Sequence, residues 1–345
     1  IHFTPEGRLF VTGGSNAYEV IQHSDDSFEA VPLTEAGCNF TGMAQKQQTL
    51  YVVCGDGQLF AAPLDDVASL APIFQMQGMC IANGTALGPD GELYVVDEPL
   101  NPICLPPEPK IVRLRIDPAD NMTILGQETS VDGAVLGLLP FGVGNQPRFP
   151  NGLAVSGQRF FSTDGGSIFY VDLLDDGSAG PVTPIAFNVA IHDDLSIAGD
   201  TLLVTDFLGG RILQMSFDGE ILQNTNLLTF DFPSAVQLAR PPMFRADDIL
   251  VTTSTDESDQ SPSVVNGTVG PKYGVKIDSI KSGDDFVLDL DKRNPQTAAR
   301  LLVSFRSWKA LEAGRRALAE KALRRIAASD SLSSDTRDIV TRTLA

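Results

Sequence analysis

The chain of 345 residues is short of several residue types, and each shortage removes a class of explanation. Histidine occurs only as His2, His23 and His192, so only these could serve a serine triad. The four cysteines, Cys38, Cys54, Cys80 and Cys104, fall in the first third and form neither a CxxC pair nor a Cys/His zinc pattern. No apolar run reaches the length needed to span a bilayer as a helix. P-loops, dinucleotide-binding glycine fingerprints and Gly-x-Ser-x-Gly elbows are missing as well. Basic residues are scarce up to residue 283, with 13 Lys/Arg against 35 Asp/Glu, whereas 284–345 carries 12 against 9. An acidic body of this kind argues against nucleic acid and against an anionic membrane surface as partners. Most of its carboxylates serve solubility; a cation site would use only a few.

Glycine and proline are rare only in the tail, where 284–345 contains one of each against 30 Gly and 21 Pro before it. The tail reads as helical. Asn294-Pro295 has the form of an N-cap followed by proline at the first helical position. Leu301, Phe305 and Trp308 recur at helical spacing, and Leu311, Leu318, Ala322 and Ile326 continue the stripe. Ser333 is placed to cap a last helix carrying Ile339, Val340 and Leu344. A helical module over 284–345 is therefore expected, with Trp308 and Phe305 buried and a role in packing or self-association.

The body is rich in turns and short strands. FPNGLAVSGQRFFSTDGGSIFYVDL, Phe149 to Leu173, reads as three strands separated by tight turns. The cassette recurs from Cys80 (CIANGTALGPDGELYVVDEP) and from Ile191 (IHDDLSIAGDTLLVTDFLGGRILQMSF), with weaker copies at Ile1, Gly37 and Phe232. One polar position opens each first strand: Thr41, Asn83, Asn151, Asp193 and Ser234, at intervals of 42, 68, 42 and 41 residues. The 68 is one period plus inserted loops, among them an apolar excursion over 118–148. A period near 42 with three or four strands per unit is that of propeller blades. The fold expected is all-β, a six-bladed β-propeller over residues 1–281, followed by the small α-helical C-terminal module.

In a propeller the starts of the inner strands converge on one mouth of the channel. Asn83, Asn151 and Asp193, with Asp194 beside them, then ring one point, and hard oxygen donors without Cys or His suit Ca²⁺, or in second place Mg²⁺ or Mn²⁺. Asp97, Asp164 and Asp206 follow strand ends and are expected to cap hairpins. His192 adjoins Asp193, but strand neighbours point to opposite faces, so its role is that of a rim base or a supporting residue. Cys38 with Cys54 and Cys80 with Cys104 make feasible local disulfides; four buried thiols are the alternative.

These motifs resemble the senescence marker protein/gluconolactonase and paraoxonase superfamily of six-bladed propellers, over most of residues 1–280. The resemblance implies a catalytic divalent metal, often Ca²⁺, and hydrolysis of lactones, aryl esters or organophosphates. It carries over Asn83, Asn151 and Asp193 as ligands, Asp194 as a further donor, and Asp193 or Asp194 as acceptor of a proton from attacking water. It places the family's first ligand, a blade-one Glu, just before Ile1, and sets Thr41 where paraoxonases have a histidine. The last 60 or so residues are similar to the extreme C-terminus of bacterial aminopeptidase N, without that enzyme's zinc motif, so the chain reads as a fusion. The expected function is metal-dependent hydrolysis of a small ester or lactone, the alternative being a non-catalytic binding propeller whose tail recruits a partner. For location, the propeller and its disulfides point to a secreted or periplasmic protein and the tail to a cytoplasmic one.

Overall fold

A computed structural model describes residues 1–13, 16–24, 27–35, 38–99, 109–133, 149–174, 177–187, 190–246, 248–255 and 274–276 of the body. In the C-terminal stretch it describes 291, 299, 302, 309, 316, 320, 323–329 and 331–344. The chain separates into two compact units, Ile1–Asp278 and Ser279–Ala345.

The first unit is an all-β propeller, in which each sequence repeat folds into its own antiparallel sheet. The first sheet holds β1 (His2–Phe3), β2 (Leu9–Gly13), β3 (Asn16–Gln22) and β4 (Phe28–Pro32). The second holds β5 (Phe40–Lys46), β6 (Thr49–Cys54), β7 (Gln58–Pro63) and β8 (Ala71–Gln75). The third holds β9 (Ala82–Leu87), β10 (Leu93–Asp97), β11 (Lys110–Asp117) and β12 (Asp120–Asp132). The fourth holds β13 (Pro150–Ser156), β14 (Arg159–Asp164), β15 (Ser167–Asp172) and β16 (Thr183–Phe187). The fifth holds β17 (His192–Ala198), β18 (Thr201–Asp206), β19 (Arg211–Ser216) and β20 (Ile221–Asn224). The last repeat forms a three-stranded sheet of β21 (Pro233–Leu238), β22 (Ile249–Thr255) and β23 (Gly274–Lys276). Among the described residues the structure thus shows five complete four-stranded blades rather than the six expected. The expected excursion over 118–148 is corrected in part: its beginning is β12, the outer strand of the third blade.

The sheets stand face to face, which explains the composition of the second strand of each. In β6, Leu50, Val52 and Cys54 pack toward the first sheet, while Tyr51 and Val53 pack toward the third. In β10, Leu93 and Val95 face the second sheet, and Tyr94 and Val96 face the fourth. Strands buried on both faces must be apolar at successive positions rather than at alternate ones. Each such side chain contributes about 1.5–3 kcal/mol on burial, and no single sheet could hide both of its faces. The first and last sheets also meet: the Phe244 ring lies 6.0 Å from Phe3 and 5.5 Å from Phe28.

In the second unit Leu302, Leu323, Ile326 and Val340 form a small core. The last helix, α1 (Ser334–Leu344), is capped as expected: the Thr336 amide donates to Ser333 Oγ at 3.3 Å. Asp291 accepts from the Ser333 amide at 2.7 Å and from the hydroxyls of Ser333 and Thr336. Burial works against its charge, but these hydrogen bonds prevail and hold its pKa below the usual value. Asn294, Pro295, Leu301, Phe305, Trp308, Leu311, Leu318 and Ala322 lie outside the described residues. No helix among the described residues is long and apolar enough to cross a membrane.

Candidate metal and catalytic site

The inner strands β5, β9, β13, β17 and β21 share a local irregularity. Pairing to the second strand shifts register between Phe40 and Met43, Ala82 and Thr85, Pro150 and Leu153, His192 and Leu195, and Pro233 and Ala235. Every one of these bulges contains the polar position singled out by the repeat. A bulge re-aims a side chain that regular pairing would commit to one face of the sheet.

The residue after the polar one is glycine in three successive strands, because the strands crowd together there. A Cβ on Gly84 would lie 2.2 Å from the Asn151 carbonyl oxygen, and one on Gly152 would lie 2.5 Å from Asp194 Oδ1 and 2.7 Å from its Cα. In β17 the glycine slot is taken by Asp194, so this strand brings two consecutive carboxylates. Threonine hydroxyls tie the bulges together. Thr163 Oγ1 accepts from the Gly152 amide and donates to the Asp193 carbonyl, each at 2.8 Å, joining the fourth blade to the fifth. Thr41 Oγ1 donates to the Ala82 carbonyl at 2.8 Å, joining the second blade to the third.

The structure brings Asn83, Asn151 and Asp193 together around a residue missed in the sequence, Glu98. Asn83 Nδ2 donates to Glu98 Oε2 at 2.9 Å, and Asn151 Nδ2 donates to Glu98 Oε1 at 3.3 Å and to Asp193 Oδ1 at 2.7 Å. Glu98 is buried directly after Asp97 at the end of β10. The signal available was a second acid following the strand-end Asp in that repeat alone.

Burial pushes Asp193 up to about 8, with Asp194 and Glu98 adding to the rise and the Asn151 hydrogen bond opposing it. Glu98 is also raised, by burial first, against the pull of Asn83 and Asn151. Asp194 is raised to about 6 by burial, moderated by the Ile1 amino group and the Leu195 amide. Among the described residues no lysine or arginine forms an ion pair with these three acids. The carboxylates of Glu98, Asp193 and Asp194 do not all come within 4.8 Å of one another; the Asn151 amide bridges Glu98 and Asp193. Cys38, Cys54 and Asp56 are drawn that close, but the two sulfurs are joined as a disulfide.

His192 is not brought into this group. Its Nδ1 faces the Thr205 carbonyl at 3.3 Å and its buried Nε2 has no hydrogen-bond partner. Burial lowers its pKa, so it is a neutral core side chain, and the expectation of a rim base is corrected. Thr41 and Ser234 do not join the group: Thr41 is tied to the Ala82 carbonyl of the next blade, and Ser234 Oγ lies 3.1 Å from Thr252 Oγ1. Asp97 accepts from the Cys80 and Ile81 amides at 2.6 and 3.1 Å, Asp164 accepts from the Phe149 amide, and Asp206 from the Gly209 amide at 2.9 Å. These three acids close their hairpins.

Cys38 and Cys54 form a disulfide, and Cys80 is disulfide-bonded too. Cys104 lies outside the described residues, as do Leu138, Leu139, Pro140 and Phe141 of the apolar excursion.

Comparison with known proteins bears on the two units separately. The body shares its fold with a putative gluconolactonase (TM-score 0.52, 15% identity, covering 79% of this chain and 88% of that one). It is also similar to the calcium-binding protein regucalcin from Agrobacterium tumefaciens (TM-score 0.51, 12% identity, 79% and 90% covered). A luciferin-regenerating enzyme is a third (TM-score 0.50, 17% identity, 79% and 94% covered). At such identities the likeness establishes the fold alone, a β-propeller. Residues 281–345 match a family model described as a domain of unknown function (DUF3458_C) with ARM repeats. No curated protein matches the sequence.

Proposed function

We propose that the chain is a metal-dependent hydrolase of carboxylic esters or lactones, with the three-stranded sheet serving as a sixth blade. The carrying observation is the convergence of Glu98, Asp193 and Asp194 with Asn83 and Asn151, from three different blades, with no basic side chain among the described residues paired with them. The structural likeness to gluconolactonase and regucalcin propellers supports the same reading.

The donor set fits a hard divalent cation, Ca²⁺ first and Mg²⁺ or Mn²⁺ second. Burial raises all three acids, and Asp194 and Glu98 add to the rise of Asp193 by repulsion; a cation relieves both. A carboxamide's two ends diverge, so holding both Nδ2 groups on Glu98 leaves Asn83 Oδ1 and Asn151 Oδ1 available as neutral ligands, with Asp193 and Asp194 as the charged ones. When bound, the cation would polarise the ester carbonyl and offset the negative charge developing on its oxygen. Asp193 Oδ1 is fixed by Asn151, which leaves Oδ2 to accept a proton from attacking water, with Asp194 as the alternative acceptor. Glu98 acts through the amides it orients. The tail is assigned to packing or self-association, since the resemblance brings no peptidase motif with it.

The test is a panel of p-nitrophenyl esters, aryl acetates and lactones with and without EDTA, beside calcium titration of the wild type and Asp193→Ala. Hydrolysis that needs the metal, and calcium binding lost in the variant, support the assignment. Full activity in EDTA, or equal stoichiometric calcium in both proteins, removes it.

A further inference from the structure

The rim between the fifth and last sheets carries a group of exposed apolar side chains: Ile191, Leu208, Leu227, Leu228 and Phe232, with Phe207 beside them. Leu228 is 80% exposed and Leu227 63%. The group is contiguous with the candidate site, because Ile191 stands two residues before Asp193 and Phe232 two residues before Ser234. It therefore spans the sector between two neighbouring inner strands, on the side where those strands begin.

The patch is also built rather than frayed. The Phe207 amide donates to the Ile191 carbonyl at 2.8 Å, the Leu228 amide to Gly209 at 2.8 Å and the Phe230 amide to Gly210 at 2.9 Å. The Phe207 and Phe232 rings are 5.2 Å apart. Leu228 and Phe232 hold positive φ, +56° and +48°, a conformation that disfavours bulky side chains and that marks functional surfaces when it is kept. Two large apolar groups are thus presented to solvent from strained backbone, where asparagine or glycine would sit more easily.

We propose that this sector is the wall that receives the apolar part of the substrate, and that the substrates are neutral esters or lactones bearing an alkyl or aryl group rather than polyhydroxylated sugar lactones. The proposal rests on the hydrolase reading above. Charge selects this occupant over the alternatives. The neighbouring acids Asp194 and Asp231 repel an anionic ligand or an anionic bilayer, and Arg211 is tied to Asp206 at 2.8 Å. A sugar would find no side-chain hydrogen-bond partner on these six residues.

The experiment separates this proposal from the hydrolase reading by using a ligand that cannot be hydrolysed. Methyl ketones from 2-butanone to 2-decanone, as ester isosteres, are titrated into the full chain, the wild type beside Leu208→Ser, Leu228→Asn and Phe232→Asn. The expected result is tightening by about two- to fourfold for each added methylene in the wild type. The variants should flatten that dependence and weaken 2-decanone about tenfold, while keeping thermal stability, since the replaced side chains are exposed and asparagine tolerates the backbone. Chain-length-independent binding, unaltered binding in all three variants, or no ketone binding at all overturns the proposal, whatever the esterase assay shows. Neutral and anionic vesicles form the second arm. If the variants abolish vesicle binding but leave the ketones untouched, the patch is a lipid-docking surface and the proposal fails. Absence of any EDTA-sensitive hydrolysis together with normal ketone binding would instead count against the hydrolase reading alone.

Discussion

Two arcs of the channel rim start from the same design and end differently. In the arc from the third to the fifth blade, the bulged positions carry Asn83, Asn151 and Asp193, whose side chains leave their own strands and meet at Glu98. In the other arc the same bulge carries Thr41 and Ser234, whose short hydroxyls bond to a neighbouring backbone carbonyl and to Thr252. The backbone device is common to both arcs. Side-chain reach decides which one gathers polar groups at a common point: an amide or carboxylate extends past the crowded strands, whereas a β-hydroxyl finds a partner before it reaches the channel.

Several substitutions would break or sharpen that contrast. The largest expected effect is on turnover. Asp193→Asn should lower kcat/KM for the best ester or lactone by two or more orders of magnitude, while Ser234→Ala should stay within about threefold. Similar losses in both would mean that the arcs do not differ in function.

Gly152→Ala comes next and acts through space rather than chemistry. Its Cβ would meet Asp194 backbone at 2.7 Å, which predicts a loss of about 3 kcal/mol in denaturant unfolding. Gly199→Ala is the control: φ is +64° but nothing lies within 4 Å, so backbone strain alone should cost about 1 kcal/mol. Equal costs at the two sites would show that crowding of the inner strands is not what selects glycine there.

The acidic arc also predicts how stability varies with pH. Asp193 keeps its proton up to about 8 in the folded chain but ionises near 3.8 when unfolded. Between those values the native state binds more protons, so the metal-free protein loses stability as pH rises, by about 2 kcal/mol from pH 6 to pH 8. Calcium should reverse that loss. Thermal unfolding in EDTA and in millimolar calcium at both pH values reads it out, and a metal-free protein more stable at pH 8 would contradict the clustering of acids. The smallest effect concerns the stitching between blades. Thr163→Val removes one acceptor and one donor at the Gly152 and Asp193 backbone, for a loss of about 1 kcal/mol or somewhat more, seen as a lower Tm.

The sequence by itself determined the repeat. A period near 42 residues, second strands apolar at successive positions and turns rich in glycine leave few folds other than a propeller, because both faces of each sheet must be covered by a neighbour. It also determined which positions open the inner strands, and it placed Asp97, Asp164 and Asp206 as hairpin caps and Ser333 as a helix cap, since those interactions are local in the chain. Tertiary structure alone decided the rest. Glu98 has no periodic counterpart, and its place exists only because the third and fourth blades turn Asn83 and Asn151 toward the same point. His192 sits beside Asp193 in the chain, yet the bulge sends the two side chains to different surroundings. The apolar rim is assembled from segments around 191, 208 and 228, each unremarkable alone. Spacing along the chain records which residues share a position in the repeat; convergence depends on how separate blades are rotated about a common axis, and that rotation is set by packing across all of them at once.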